Sequence, residues 1–245
     1  MSAKRIVIVG TGTDMGKTIL SLLMMQYLFS KGYNPLYIKP FQTGCKSVDD
    51  PGTDAGFIYQ HIPNLYGSDP SFSIVHCHEN PKAPYFAARD MNRTIDVNET
   101  LQAINDKEQA GWKGQPVSHL VIEAAGGLLV PVNANTTMAD VMVQTNARPV
   151  IAANAGLGTI NHTLLTLQCL ERLGVQPVCV VLMDKHRKKT DPDMVKENIE
   201  AIESFSRTKV AGVIPYINDF SNPGSEPWNV IEQVLSLSDL KRNPY

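Results

Sequence analysis

Residues 10–18, which read GTGTDMGKT, have the composition of a loop that binds phosphate groups. The common phosphate-binding loop is G-x-x-x-x-G-K-[S/T], whereas here five residues separate Gly10 from Gly16. A β-branched run precedes the loop, and apolar residues at helical spacing follow it. This strand–turn–helix context favours a phosphate site over a glycine turn without a ligand. We therefore expect Lys17 at the phosphates and the Thr18 hydroxyl on Mg²⁺.

Further candidate groups stand where other predicted strands end. Lys39 closes the second apolar run, directly before Pro40, and Glu123 closes the third, before the sequence AAGG. In open α/β sheets, ligands bind beyond the carboxyl ends of the strands, so these side chains should converge on the phosphate loop. Glu123 and Asp54 are candidate Mg²⁺ ligands, and the glycine-rich stretch 154–163 is a candidate anion site. A surface lysine, a helix-capping acid and a plain turn are the structural alternatives for Lys39, Asp54 and 154–163.

Strand and helix patterns alternate along the chain. Apolar, β-rich runs occupy 5–9, 35–40, 119–127, 149–155, 177–184 and 209–216. Helical patterns cover 17–30, 96–109, 137–145, 159–173 and 192–206, and the irregular stretch 41–95 holds short helices at Asp54–His61 and Pro84–Met91. This alternation predicts an α/β fold of the P-loop NTPase type: a doubly wound, mainly parallel sheet with helices on both faces. We expect one domain over 1–245, with a polar tail from about residue 223 that carries one helix.

Composition narrows the functional classes. The 22 basic and 24 acidic residues nearly balance, which gives no electrostatic reason to expect nucleic acid or an anionic membrane as partner. No apolar run is long enough to span a bilayer, and a strand begins close to the N-terminus, so we expect a cytoplasmic protein. The four cysteines form no C-x-x-C pair and are expected to be reduced. The HCHE stretch at 76–79 lacks a second ligand cluster, so zinc is not predicted.

Four motifs together resemble the dethiobiotin synthetase family over about residues 4–220. In order they read GTGTDMGKT, KPFQTG, IEAAGGLLVPV and GLGTINHTLLT. The longer phosphate loop is a feature of that family. The resemblance implies a homodimer with its site at the subunit interface. It also implies a reaction in which 7,8-diaminononanoate takes up CO₂ as a carbamate, ATP phosphorylates the carbamate, and the second amine displaces phosphate to close a cyclic urea.

The resemblance also implies roles for individual residues. Lys17 and Lys39 would be catalytic, and Thr18, Asp54 and Glu123 would hold Mg²⁺. The nucleotide would contact Asp14, Met15, Gly16, Lys17, Thr18, Asp54, Glu123, Gly126, Met183, Asp184, Pro215 and Ile217. The substrate would contact Thr13, Asp14, Lys39, Thr43, and, from the second subunit, Gly158, Thr159, Ile160 and Asn161.

Two positions depart from the family pattern. Met183 stands where many relatives have an asparagine that pairs with adenine, and a thioether offers no matching donor and acceptor. Ala124 replaces the usual glycine after Glu123. The main alternative is a switch ATPase of plasmid partition or division-site selection, but such loops carry an extra lysine that this loop lacks. An amide-forming ligase that amidates cobyrinic acid would need an added glutaminase domain, for which we expect the chain to have no room.

Overall fold

A computed structural model of the chain describes residues 3–185, 187 and 189–240. It contains one seven-stranded sheet, in which every strand pairing is parallel and the order is β3-β2-β4-β1-β5-β6-β7. The strands are β1 (Lys4–Gly10), β2 (Pro35–Thr43), β3 (Ile74–His78), β4 (His119–Glu123), β5 (Arg148–Asn154), β6 (Cys179–Met183) and β7 (Val210–Ile214). The order reverses at β1, which creates a crevice at the carboxyl ends of β1 and its neighbours. The predicted fold class is confirmed.

Helices cover both faces of the sheet. They are α1 (Lys17–Ser30), α2 (Asp54–Gln60), α3 (Pro84–Asp90), α4 (Val97–Ala110), α5 (Met138–Gln144), α6 (Thr159–Arg172), α7 (Pro192–Ser206) and α8 (Ser225–Leu240). Helices α1 and α8 pack together on one face, whereas α4 contacts α5 and α6 contacts α7 on the other. Right-handed crossovers that run in opposite directions from β1 produce these two layers.

The central strands are apolar on both sides because helices cover both faces. All five residues of β4 and of β6 are buried, and so are the last five residues of β1. This continuous burial is typical of parallel sheets in α/β proteins. The side chains that could do chemistry lie at or just beyond the carboxyl ends of these buried strands: Glu123 is the last residue of β4, and the loop 11–16 follows β1.

Two elements differ from the sequence prediction. Strand β3 was not predicted, because its five residues lie inside the irregular stretch and carry two histidines. The tail contains the predicted helix, α8, but it is not simply polar: Val230, Ile231 and Val234 are buried, and α8 packs on β7 and α1. Tertiary packing thus orders both segments more strongly than their local patterns indicate. Residues 241–245 of the predicted tail lie outside the described residues.

The expectation of four reduced cysteines is wrong for one pair. Cys45 and Cys77 are joined as a disulfide, with their Cα atoms 6.5 Å apart. The pairing follows from the sheet, because Cys77 lies opposite Gln42 in the β2–β3 register. A separation of 32 residues along the chain gave no sign of this neighbourhood. Among the helices of the described residues, none has both the length and the apolar character needed to cross a bilayer.

Candidate active site

A cavity of about 830 Å³ lies at the carboxyl end of the sheet. It is lined by all of the residues that were predicted to bind the nucleotide or the metal. The predicted substrate-binding residues from the first half of the chain also line it. Together these residues are Thr13, Asp14, Met15, Gly16, Lys17, Thr18, Lys39, Thr43, Asp54, Glu123, Gly126, Met183, Asp184, Pro215 and Ile217. The structure therefore brings into one cavity residues as far apart in sequence as Thr13 and Ile217.

The phosphate loop adopts the tight turn that its glycines suggested. Gly16 precedes α1 in the left-handed conformation, at φ 82°, and Asp14 is also left-handed, at φ 55°. Such angles are easy for glycine and costly for most other residues, which marks the loop as a constrained segment. Lys17 is 7% exposed, and its Nζ donates to the Gly12 carbonyl at 3.0 Å. The loop and the start of α1 form a cradle that suits a phosphate.

Four side chains converge beside this cradle. The Thr18 hydroxyl lies 2.8 Å from Asp54 Oδ1 and 2.9 Å from Glu123 Oε1. The Lys39 ammonium lies between the same two carboxylates, 2.8 Å from Asp54 Oδ2 and 2.7 Å from Glu123 Oε1. Lys39 is only 5% exposed, so the alternative of a surface salt-bridge lysine is wrong. The cluster combines oxygen ligands typical of Mg²⁺ with a buried cation that neutralises them.

Burial and neighbouring charges shift the pKa values of Lys17, Lys39 and Asp54. Burial, assisted by the positive charge of Lys39, lowers the pKa of Lys17 to about 8. Burial opposes the charged form of Lys39, but Glu123 and Asp54 outweigh it and raise the pKa of Lys39. Burial likewise opposes ionisation of Asp54, yet Lys39 keeps the pKa of Asp54 below its usual value. Asp54 and Lys39 thus favour each other's charged forms.

Three supporting residues were not predicted from the sequence. The Tyr37 hydroxyl donates to Glu123 Oε2 at 2.9 Å, and burial together with Glu123 raises the pKa of Tyr37 well above its usual value. The Gln42 side chain accepts a hydrogen bond from the Asp54 amide at 3.0 Å. The Lys185 ammonium donates to the Asp14 carbonyl in the phosphate loop at 2.5 Å. A tyrosine in an apolar strand is usually a core residue, so only the strand register could reveal the first contact.

The segment after β6 lies against the phosphate loop. Met183 is 3% exposed, and a Cβ atom placed on Gly16 would come within 2.9 Å of Met183 Cε. Both carboxylate oxygens of Asp184 accept hydrogen bonds from Thr190, which closes a short loop that begins with Lys185. Met183 therefore supports the phosphate loop as well as lining the cavity. The other departure, Ala124, is accommodated because its φ is not positive and its methyl group is buried.

The second glycine-rich turn does not line this cavity. Gly158 precedes α6, with φ 87°, while Asn161 is exposed and Ile160 is half-buried. The Thr159 side chain points inward, 3.4 Å from the Thr163 hydroxyl. Leu157, beside Gly158, is 89% exposed. The four residues Gly158, Thr159, Ile160 and Asn161, predicted to bind substrate from the second subunit, are thus apart from the other predicted site residues within one chain.

Known structures share the fold at low sequence identity. The septum site-determining protein MinD of Pyrococcus horikoshii, complexed with Mg-ADP, aligns over 100% of both chains with a TM-score of 0.60 and 14% identity. The MinC:MinD cell division complex of Aquifex aeolicus aligns over 99% of this chain and 98% of that chain, with a TM-score of 0.59 and 14% identity. This similarity shows the fold alone, which switch ATPases share, and does not identify the activity.

Sequence relatives identify the family. A family profile described as an AAA domain matches residues 4–224. The ATP-dependent dethiobiotin synthetase BioD of Rhodopseudomonas palustris (strain BisB18) is 36% identical over 192 residues, 76% of this chain and 79% of that protein. The protein of the same name from Paramagnetospirillum magneticum is 32% identical, over 84% of this chain and 85% of its own length. The chain belongs to the dethiobiotin synthetase family of ATP-dependent, carbon–nitrogen bond-forming ligases.

Proposed function

We propose that this enzyme closes the ring of dethiobiotin from 7,8-diaminononanoate, CO₂ and Mg-ATP, by way of a carbamate and a phosphorylated carbamate. The observation that supports it best is the arrangement of Lys17, Lys39, Asp54 and Glu123 around one cavity beside Thr43. The carbamate oxygen attacks the γ-phosphate, so the protein supplies no nucleophile. Its residues hold the reactants in line and neutralise charge in a site with little water.

The phosphate loop binds the triphosphate. Lys17 is already directed into the loop, where its ammonium contacts the Gly12 carbonyl. Because the pKa of Lys17 is lowered in the absence of phosphate, an approaching polyanion favours the protonated form and strengthens the contact. The amide groups at the start of α1 complete the cradle, and Lys185 fixes the strained Asp14 segment from outside.

Mg²⁺ fits the donor set next to this cradle. Asp54 Oδ1 and Glu123 Oε1 both lie within hydrogen-bond distance of the Thr18 hydroxyl, and two carboxylates with a hydroxyl and phosphate oxygens suit this hard cation. When bound, Mg²⁺ would neutralise charge on the transferred phosphoryl group. Lys39 forms ion pairs with the same two carboxylates. A metal cation that binds these carboxylates would release the Lys39 ammonium, which could then contact the carbamate and the γ-phosphate.

The diamine lies between this cluster and a second copy of the chain. Thr13, Asp14 and Thr43 line the cavity next to Lys39 and can contact the amine end. The carboxylate end would meet the α6 helix start of the partner, where Gly158–Asn161 present backbone amides and an exposed amide side chain. An exposed apolar residue, Leu157, directly precedes that helix start and suits a subunit contact. We therefore propose a homodimer with two shared sites.

The activity is tested by measuring ADP and dethiobiotin with each substrate omitted in turn. A synthetase forms dethiobiotin only when ATP, bicarbonate and 7,8-diaminononanoate are all present, and its ADP release depends on the diamine. Steady ADP release without the diamine, and no dethiobiotin with it, would instead favour the switch ATPase. The Lys17→Ala variant is the matched background control, because it retains the rest of the cavity.

The shared site is tested by mixing two inactive variants. Lys17→Ala removes the phosphate-loop cation, and Asn161→Asp places a negative charge beside the substrate carboxylate. In a heterodimer one site combines the intact loop of one chain with the intact turn of the other, so random exchange should restore about a quarter of the activity. No restoration, with subunit exchange confirmed by tagged protomers, would place the whole site within one chain.

A further inference from the structure

Tyr37 is a buried polar residue that has no role in the proposed reaction as described above. It lies on β2 two residues before Lys39, and both side chains therefore face the same side of the sheet. The register pairs Tyr37 with Val121 on β4, which places Glu123 two residues further along on that side. Tyr37 is 1% exposed, and its hydroxyl reaches Glu123 Oε2 at 2.9 Å. The carboxylate it contacts is the innermost acid of the site.

The hydrogen bonds of Glu123 divide unequally between its two oxygens. Oε1 is shared by the Thr18 hydroxyl, at 2.9 Å, and the Lys39 ammonium, at 2.7 Å. Oε2 receives the Tyr37 hydroxyl, at 2.9 Å. Oε1 thus faces Thr18 and Lys39, whereas Oε2 faces Tyr37 on β2. Oε1 is therefore the oxygen that a cation replacing Lys39 can bind.

We infer that Tyr37 is a positioning residue that holds Glu123 so that this carboxylate binds the catalytic cation through Oε1 alone. The inference rests on the proposed function, which places a cation between Thr18, Asp54 and Glu123. Tyr37 contacts neither the reacting atoms nor the cavity, so it acts through Glu123. Partners of metal-binding carboxylates fix the direction of the ligand oxygen, and their loss typically weakens metal binding roughly ten- to hundredfold.

The same contact would help to break the ion pair between Glu123 and Lys39 when the cation binds. A carboxylate that is free to rotate could follow the Lys39 ammonium when the cation arrives, and the ion pair would then persist. With Oε2 fixed to the rigid β2 strand, Glu123 stays in place, and Lys39 is the partner that moves. Tyr37 thus favours the exchange by which Lys39 is released towards the substrate.

The chain offers a matched control for a test of this role. Tyr59 is also buried, and its hydroxyl pairs with Ser73 at 2.9 Å, a contact that includes none of the cluster residues. Tyr37→Phe and Tyr59→Phe each remove one buried hydroxyl and keep the ring. Binding of Mn²⁺ to the ADP complex is measured for both variants and the unaltered protein by calorimetry and by electron paramagnetic resonance. No turnover is needed for this measurement.

We expect Tyr37→Phe to weaken Mn²⁺ binding roughly ten- to hundredfold and Tyr59→Phe to leave it unchanged. In a Glu123→Gln background, Tyr37→Phe should add no further loss, because its route to the cation is gone. Equal Mn²⁺ affinity in Tyr37→Phe and Tyr59→Phe, or a further loss in the Glu123→Gln background, would overturn the inference. Failure of the unaltered ADP complex to bind Mn²⁺ would instead overturn the proposed cation site itself.

A second measurement uses the unaltered protein, in case Tyr37→Phe does not fold. Infrared difference spectra are recorded as Mg²⁺ is added to the ADP complex of protein labelled with ¹³C-glutamate, and Glu123→Gln identifies the band of interest. Binding through one oxygen increases the splitting between the two carboxylate stretching bands, and binding through both oxygens decreases it. An increase supports the role of Tyr37, and a decrease contradicts it.

Discussion

The two glycine-rich turns of this protein have the same local geometry but opposite surroundings. Gly16 and Gly158 both precede a helix in the left-handed conformation, at φ 82° and 87°. A Cβ on Gly16 would meet Met183, whereas a Cβ on Gly158 would have no described atom within 4 Å other than those of its chain neighbours. The first turn is enclosed by its own chain, and the second is open. The enclosed helix start can surround a phosphate with groups of its own chain, whereas the proposed homodimer would complete the open one with a second subunit.

The charged groups follow the same division. Around the first turn, Lys17, Lys39, Asp54 and Glu123 form a compact cluster in which each charge has a partner within about hydrogen-bond distance. Around the second turn, the exposed side chains include Leu157, which precedes α6, and Asn161, His162 and Leu165 on α6. The charged cluster is thus at the first turn, whereas the second exposes two leucines beside polar side chains.

The largest expected effect comes from removing the cation of the enclosed turn. Lys17→Ala should lower turnover roughly 10²–10³-fold or more, because a charge-assisted phosphate contact in a site with little water is lost. Dethiobiotin formation at saturating ATP is the measurement. Lys31→Ala, at the exposed end of the same helix, is the control and should keep full activity. Near-normal product formation by Lys17→Ala would remove the phosphate-loop assignment.

Lys39→Gln should affect the chemical step more than nucleotide binding. The loss in kcat is expected to be on the order of 10²-fold, since a preorganised positive group at the transferred phosphoryl disappears. Affinity for ADP should change little, because Lys39 is on a different strand from the phosphate loop. Single-turnover rates and ADP titrations separate the two effects. A large loss of ADP affinity with unchanged saturated turnover would contradict the role given to Lys39.

The same substitution also probes the acid pair. Without Lys39, Asp54 and Glu123 lose the cation that they share, and breaking a buried ion pair typically costs about 3–5 kcal/mol. The free energy of unfolding of Lys39→Gln should therefore be lower than that of the unaltered protein. Mg²⁺ with ADP should increase the free energy of unfolding of Lys39→Gln by more than it does that of the unaltered protein. Equal stabilisation of both proteins by Mg²⁺ would show that Lys39 and the cation do not compete for these carboxylates.

The open turn is tested by placing a charge on its most exposed residue. Leu157→Asp should weaken self-association roughly ten- to hundredfold, because burial of a leucine contributes about 1.5–3 kcal/mol. Light scattering over a dilution series gives the association constant, and activity should fall in parallel at low concentration. Phe205→Asp, on α7, is a matched control because Phe205 is also highly exposed. Equal association constants for the two variants would exclude Leu157 from the subunit contact.

The residues of the site were not equally predictable from the sequence. The phosphate loop and Glu123 could be predicted because they stand at the carboxyl ends of β1 and β4, and topology brings parallel strand ends together. Lys39 was predicted as well, although the structure places it inside β2, which continues beyond it to Thr43. Tyr37 and Lys185 could not be predicted, because their contacts depend on strand register and on a loop closed by Asp184. Strand β3 was missed since a short strand in an irregular stretch has no clear periodicity, and the Cys45–Cys77 pairing was missed with it.

The smallest effect concerns Met183, whose side chain packs against Gly16 of the phosphate loop. Its side chain packs on Gly16 and is almost fully buried, so it can contact the loop and a base but cannot read the base by hydrogen bonds. Each base hydrogen bond that is absent should reduce discrimination by about 0.5–1.5 kcal/mol, or roughly three- to tenfold. The enzyme should therefore accept GTP and CTP more readily than relatives that carry asparagine, and Met183→Asn should sharpen its preference for ATP.

The measurement is kcat/KM for ATP, GTP and CTP in the unaltered enzyme, Met183→Asn and Met183→Leu. Leucine keeps the apolar contact with Gly16 and adds no polar group, so Met183→Leu should keep the broad preference. A loss of activity that is equal for all three nucleotides in Met183→Asn would reflect a loosened phosphate loop and not base recognition. If the unaltered enzyme already rejects GTP and CTP by roughly a hundredfold, about 2.7 kcal/mol, then groups near Pro215 and Ile217 must read the base, and the side chain at position 183 does not decide the preference.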